Sequence, residues 1–243
     1  MIKRILVIWA IANFAIVAIV SWLVGGWYLG WHMSPVSRMV AELVLIMVPN
    51  LLLPGLVLRY WWPEPVRNIR ESLGWRCNGW RSLVAGVIGF TFFFVLLKVI
   101  VRLVGDSIPY HPPGSTGEGI SIIEPSDLLR VLGMLLVLLA FLIITVAGEE
   151  TMFRGWIQTQ LAGRYGAWIG LSVSAVLFGL RHLPADIFYA QIWQATPNMW
   201  LSRQLQLYIG AICLGLARLY GKSTYASAMM HALIFLVALL GLG

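Results

Sequence analysis

The sequence predicts an all-α fold, a polytopic transmembrane helical bundle of about seven spans, or eight. Three observations predict it. Hydrophobic residues make up 60% of the 243 and charged residues 11%, so one soluble core cannot hide the apolar surface. Apolar stretches of spanning length recur along the whole chain, separated by segments richer in charge. The basic residues also segregate: Lys3 and Arg4 precede the first stretch, Arg59, Arg67, Arg70, Arg76 and Arg81 follow the second, and Arg164, Arg218 and Lys222 fall in later even-numbered loops. That is the positive-inside pattern, which puts the N-terminus in the cytoplasm and the protein in the cell membrane. The net charge of +7 thus reports orientation. No nucleic-acid partner is expected; the lipid bilayer is.

In chain order the expected spans are 5–29, 39–58, 82–104, 128–152, 167–183, 205–220 and 224–241. The first has the basic start of a signal peptide, but its apolar region is too long and no small-residue cleavage site follows, so a retained span is expected. Its end, Gly25-Gly26-Trp27-Tyr28, carries aromatic residues suited to the headgroup level. The second contains Pro49 and Pro54 with Asn50 between them, which predicts a kink and gives Asn50 a helix-packing hydrogen bond. Residues 59–81 mix arginines with Trp61, Trp62, Trp75 and Trp80, as in a segment lying in the interface beside anionic lipid. Residues 105–127 hold Pro109, Pro112, Pro113, Gly114, Gly117 and Gly119 and four acidic residues without Lys or Arg, an exposed outer linker. It separates an N-terminal three-span region, 1–124, from a four-span region, 125–243, that holds every candidate reactive residue. Leu183–Arg203, with Pro184, Trp193, Pro197 and Trp200, is expected to cap the helices or border an entrance. Cys77 and Cys213 have no C-x-x-C spacing, so neither a disulfide framework nor a thiolate metal site is indicated.

The fourth span ends in Gly148-Glu149-Glu150-Thr151-Met152-Phe153-Arg154. A charged side chain inside a bilayer costs ~2.5 to 3.5 kcal/mol, so three in one helix need partners or a purpose. Glu150 and Arg154 stand four residues apart with Glu first, the favourable order for an ion pair. Arg154 then neutralises Glu150 and leaves Glu149, ~100° round the helix, pointing elsewhere. In the next span Gly166, Gly170, Ser174, Phe178 and His182 recur every four residues, a stripe whose small members let a neighbouring helix approach. Gly163-Arg164-Tyr165-Gly166 supplies a tight turn between the two helices. Folding the hairpin there pairs positions summing to about 330, which sets Glu149 opposite residue 181 and His182 within a turn of it. Both lie ~20 to 25 Å along their helices from the turn. His231, nine residues past Lys222, enters the last span to ~13 Å, a comparable depth. His32 and His111 fall in expected outer loops.

Glu149-Glu150-x-x-x-Arg154, then Phe178-x-x-x-His182, then His231 in a late span resembles the CPBP family (CAAX proteases and bacteriocin-processing proteins, also called ABI), which includes the type II CAAX prenyl endopeptidases. The resemblance covers roughly residues 125–240, and Glu71-Ser72-Leu73-Gly74-Trp75 is similar to the pre-membrane segment of bacterial members. It implies an intramembrane endopeptidase acting on a membrane-associated peptide or protein. Glu149 would activate water with the help of His182, and His231 would stabilise the oxyanion. Glu150 and Arg154 would hold the site together, with Phe178 packed beneath it. Members often carry Asn four residues after the last histidine, where this chain has Phe235, so a second oxyanion donor would come from elsewhere. The departure leaves open a catalytically weak or inactive member acting in bacteriocin self-immunity or as a binding partner in a membrane complex. No cofactor is expected in a glutamate-type mechanism. The alternative is a zinc ion on Glu149, His182 and His231, two histidines and a carboxylate being a set that holds Zn²⁺ with a position open for water.

Overall fold

A computed structural model describes residues 2–15, 48–61, 68–106, 139, 143–192 and 194–239. Every regular element among them is helical, as the composition demands. The expected linker 105–127 beyond Asp106, His32 and His111, and much of the spans expected at 5–29, 39–58 and 128–152 lie outside the described residues.

Helix α1 (Ile2–Ala10) runs into a π segment, Ile11–Ala15. Helix α2 (Val48–Tyr60) is continuous through Pro54. Its Asn50 is fully buried and donates from Nδ2 to Asn13 Oδ1 at 3.1 Å, the packing role expected for it. A buried amide with such a partner ties the two helices together.

Helix α3 (Ile69–Ser72) is a single turn capped by Asn68, whose side chain accepts from the Glu71 amide. It ends in Leu73 and Gly74, the latter at φ +71°, a left-handed conformation that costs glycine nothing. Trp61 and Trp80 are 71% and 76% exposed. Residues 73–75, however, turn inward. Leu73 is buried, its carbonyl accepts from Thr224 Oγ1 at 2.7 Å, and Trp75 donates from Nε1 to Thr151 Oγ1 at 3.1 Å. Part of the surface segment thus braces the interior, because its free backbone groups find partners there.

Helix α4 (Trp80–Val104) has 25 residues and a mean hydropathy of 2.5 over its most apolar stretch. At ~38 Å it is long enough to cross a hydrocarbon core of ~30 Å. Residues from 143 form helical turns that widen into a π segment, Glu150–Gln158, and continue as helix α5 (Thr159–Tyr165). Helices α6 (Ala167–Ile192), α7 (Pro197–Gly221) and α8 (Thr224–Leu239) follow. The stretch 183–203 is mostly helical: α6 runs on past 183, and α7 begins at Pro197 with Thr196 accepting from the Met199 amide. An N-cap followed by proline at the first position is the favoured helix start.

Helix α7 is the packing centre, lying against α4, α6 and α8. One apolar cluster joins Leu58 of α2, Phe153 and Trp156 of the π segment, Phe178 of α6 and Leu207 of α7; a second joins Phe93, Cys213, Ala217 and Met230. All nine residues of Glu150–Gln158 are buried. A π segment is uncommon and concentrates at functional sites.

Candidate active site

The hairpin closes where the sequence places it. Gly166, at φ +94°, ends α5 and turns the chain into α6. The four-residue stripe of α6 faces the π segment. A Cβ on Gly170 would lie 2.6 Å from the Gln158 carbonyl oxygen, so the backbones approach as only glycine permits. One turn on, Ser174 Oγ donates to the Phe153 carbonyl at 2.7 Å. The next stripe residue, Phe178, meets Phe153 edge to face at 5.2 Å.

This packing positions six charged or titratable side chains. Arg154, 1% exposed, donates from Nη1 to Glu150 Oε1 at 3.2 Å and from Nη2 to the Ala211 carbonyl at 3.3 Å. Its guanidinium carbon lies 4.4 Å from the centre of the Phe178 ring, a cation–π contact. His231 reaches the same Glu150 oxygen, with Nδ1 2.8 Å from Oε1. A carboxylate only accepts hydrogen bonds, so the Nδ1 proton belongs to His231. Glu150 is thus the anchor that holds Arg154 of the π segment and His231 of α8.

Glu149 projects away from that pair. It is 3% exposed; Arg181 Nη1 donates to its Oε1, and its Oε2 faces His231 Nε2 at 3.6 Å. The latter separation exceeds a hydrogen bond. His182, part-buried one residue beyond Arg181, couples electrostatically to Glu149. Its Nδ1 lies 2.9 Å from the Phe178 carbonyl oxygen, an acceptor only, so this ring too carries its proton on Nδ1. His231 thus spans the two carboxylates, Nδ1 on Glu150 and Nε2 toward Glu149. Phe235 stacks on His231, with ring centres 5.2 Å apart and planes 22° from parallel.

The structure thus gathers Glu149, Glu150, Arg154, Phe178, His182 and His231. Sequence reasoning missed Arg181, although the hairpin arithmetic named its position as the one opposite Glu149. It also missed the Trp75–Thr151 hydrogen bond, a contact with no local signal. At the far end of α6, Asp186 is held by Arg203 Nε at 3.1 Å and Gln204 Nε2 at 3.1 Å. Burial pushes its carboxyl up from the usual range, while Arg203 and Gln204 act the other way. Among the described residues no three His, Cys, Asp or Glu side chains are grouped to hold an ion, and the Arg181 cation occupies one oxygen of Glu149.

The model of the family described as Rce1-like, type II CAAX prenyl endopeptidase Rce1-like, matches residues 131–237. The match takes in every residue of the three motifs and supports the CAAX protease family, whose members are proteases embedded in membranes. No curated protein and no solved structure matches the chain.

Proposed function

We infer that this chain is an intramembrane endopeptidase that hydrolyses a peptide bond of a membrane-associated peptide or protein. The observation that carries the inference is a buried carboxylate, Glu149, bordered by Arg181, His182 and His231 inside the region similar to CAAX endopeptidases.

Water entering beside Glu149 would donate one proton to its carboxylate and the other to the Nε2 lone pair of His182. That leaves an oxygen lone pair aimed at the scissile carbonyl carbon. As the C–O bond forms, the water proton passes to Glu149 and the carbonyl π pair moves onto oxygen. When the C–N bond breaks, its electron pair stays on nitrogen, which takes the proton from Glu149 and restores the carboxylate. Glu150 and Arg154 keep His231 in place at the border of the site, and Phe178 supports Arg154 and His182 from beneath. The mechanism is metal-independent, since a guanidinium against Glu149 disfavours a second cation there.

The same reading places about seven spans in the cell membrane with the N-terminus in the cytoplasm. The test compares peptide termini across the membrane and secreted proteome of a deletion strain complemented with wild type or with Glu149→Gln at matched expression. New termini appearing only with wild type are expected, and they identify the substrate. Equal rescue of a deletion phenotype by both forms, without new termini, would move the assignment to a binding role.

A further inference from the structure

We propose that Arg218 of α7 and Arg76 form a binding site for a phosphate group, carried by an anionic lipid headgroup or by a free phosphate ion. The site stands apart from the reacting centre and does not depend on the peptidase reading. Arg218 lies near the end of α7, and its guanidinium is only partly satisfied. Its Nη2 donates to Thr159 Oγ1 at 2.7 Å, whereas its Nε is buried and meets no acceptor. The charge facing it has the same sign, for Arg218 couples electrostatically to Arg76. No ion pair among the described residues involves either arginine. Segment 68–81 and the turn 218–224 together hold Arg70, Arg76, Arg81, Arg218 and Lys222 against one carboxylate, Glu71. A buried N–H without an acceptor and two like charges held together both cost free energy, and one anion between them removes both costs.

The fold sets the two arginines in place before a ligand arrives. Gly74, at φ +71°, lets the chain pass close over Arg218: a Cβ there would lie 3.0 Å from Arg218 Nη2 and 2.8 Å from Thr224 Oγ1. The Gly74 carbonyl accepts from the Thr224 amide at 2.8 Å, and the Arg76 carbonyl accepts from Ser223 Oγ. Asn78 Nδ2 donates to the carbonyls of Gly221 and Lys222 at 3.0 and 2.9 Å. Arg76 itself is exposed, so its head can turn to a ligand beside Arg218. A guanidinium suits phosphate because its planar fork meets two oxygens at once. The level is that of a headgroup. Arg81, in the first turn of α4, donates from Nε to the Tyr220 carbonyl at 2.9 Å, which sets the start of this apolar helix within about one turn of Arg218. The site also reaches the π segment. Thr159 Oγ1, which accepts from Arg218, donates to the Arg154 carbonyl at 2.9 Å, so a bound anion stabilises the contact between this corner and the segment holding Glu150.

The experiment follows unfolding of the full-length protein in detergent micelles by tryptophan fluorescence. About 0.3 M sodium chloride screens diffuse attraction between exposed charges. Phosphatidylglycerol, phosphatidylcholine and inorganic phosphate are added in separate arms. Phosphatidylglycerol at about ten times its Kd should raise the unfolding temperature by about 3–6 °C. Phosphatidylcholine, whose choline offsets its phosphate, should give little shift. A shift with phosphatidylglycerol alone supports the site with a lipid as occupant, and a shift with inorganic phosphate as well supports it with a free anion. Arg76→Gln, at an exposed position, should fold as wild type does and lose most of the shift, as should Arg218→Gln. If Arg218→Gln does not accumulate, Arg218→Lys replaces it and should keep only part of the shift, because a point charge lacks the fork. Arg59→Gln makes the same charge change on α2 and should keep the whole shift. No shift in wild type with either phosphate source overturns the site. So does a full shift in Arg76→Gln and in the Arg218 variant, or an equal loss in Arg59→Gln, which would reduce the effect to diffuse attraction. The readout needs no substrate, so none of these outcomes bears on the peptidase reading.

Discussion

Glu149 and Glu150 are neighbours in sequence and opposites in role. Glu150 is fully buried and answers to Arg154 and His231, so its removal strands two partners; Glu149 accepts from Arg181 and faces His231 Nε2 across 3.6 Å. Removing one member of a buried pair costs about 3–5 kcal/mol, because the other charge is left without compensation. Arg154→Ala and Glu150→Gln should therefore reduce the yield of folded protein and lower its unfolding temperature in detergent. Glu149→Gln keeps the side-chain shape and loses only the base. It should accumulate as wild type does and show no hydrolysis; full activity in that purified variant would remove Glu149 from its assigned role.

At the scale of elements, the hairpin of the π segment, α5 and α6 fixes the depth of the site, and glycine sets how closely its arms approach. A methyl group on Gly170 would sit 2.6 Å from the Gln158 carbonyl oxygen and 2.7 Å from the Ala162 nitrogen, both backbone atoms that cannot move aside singly. A methyl group on Gly163, on the outer face of α5, would meet no other part of the protein within 4 Å. Gly170→Ala should destabilise by about 1–3 kcal/mol through overpacking. Gly163→Ala should be neutral or stabilise by up to about 1 kcal/mol, since alanine loses less entropy in a helix. Unfolding temperatures measured side by side check the pair, and equal effects would mean that the arms do not touch as described. The brace from α3 offers a milder test. Trp75→Phe removes the hydrogen bond to Thr151 while keeping an aromatic ring against Tyr225, which Trp75 meets edge to face at 4.9 Å. A loss of about 0.5–1.5 kcal/mol is expected.

For the whole molecule, the orientation proposed from the distribution of Lys and Arg can be tested with a reporter that the protein itself carries. Cys77 is exposed beside Arg76 and Arg81, whereas Cys213 is buried in the second apolar cluster. A membrane-impermeant maleimide should therefore label wild type in inverted vesicles and leave it unlabelled in intact cells. Cys77→Ser should abolish the label. Labelling in intact cells would reverse the orientation and place the basic residues outside.

The sequence by itself determined the helical class, the apolar α4, the turn at Gly166, and the motifs whose side chains meet. These are local or periodic properties: a helix repeats every ~3.6 residues, so spacing alone states which side chains share a face and which residue lies across a hairpin. It reached the Glu150–Arg154 pair for that reason, and with the hairpin sum it reached position 181 without giving Arg181 a role. Only the tertiary structure decided which nitrogen of each histidine is taken, that Trp75 and Leu73 turn inward beneath the π segment, and that Phe235 lies on His231. Those contacts depend on the rotation and depth of helices that are distant in sequence. Such placements arise from packing over the whole bundle, and no repeat in the chain encodes them.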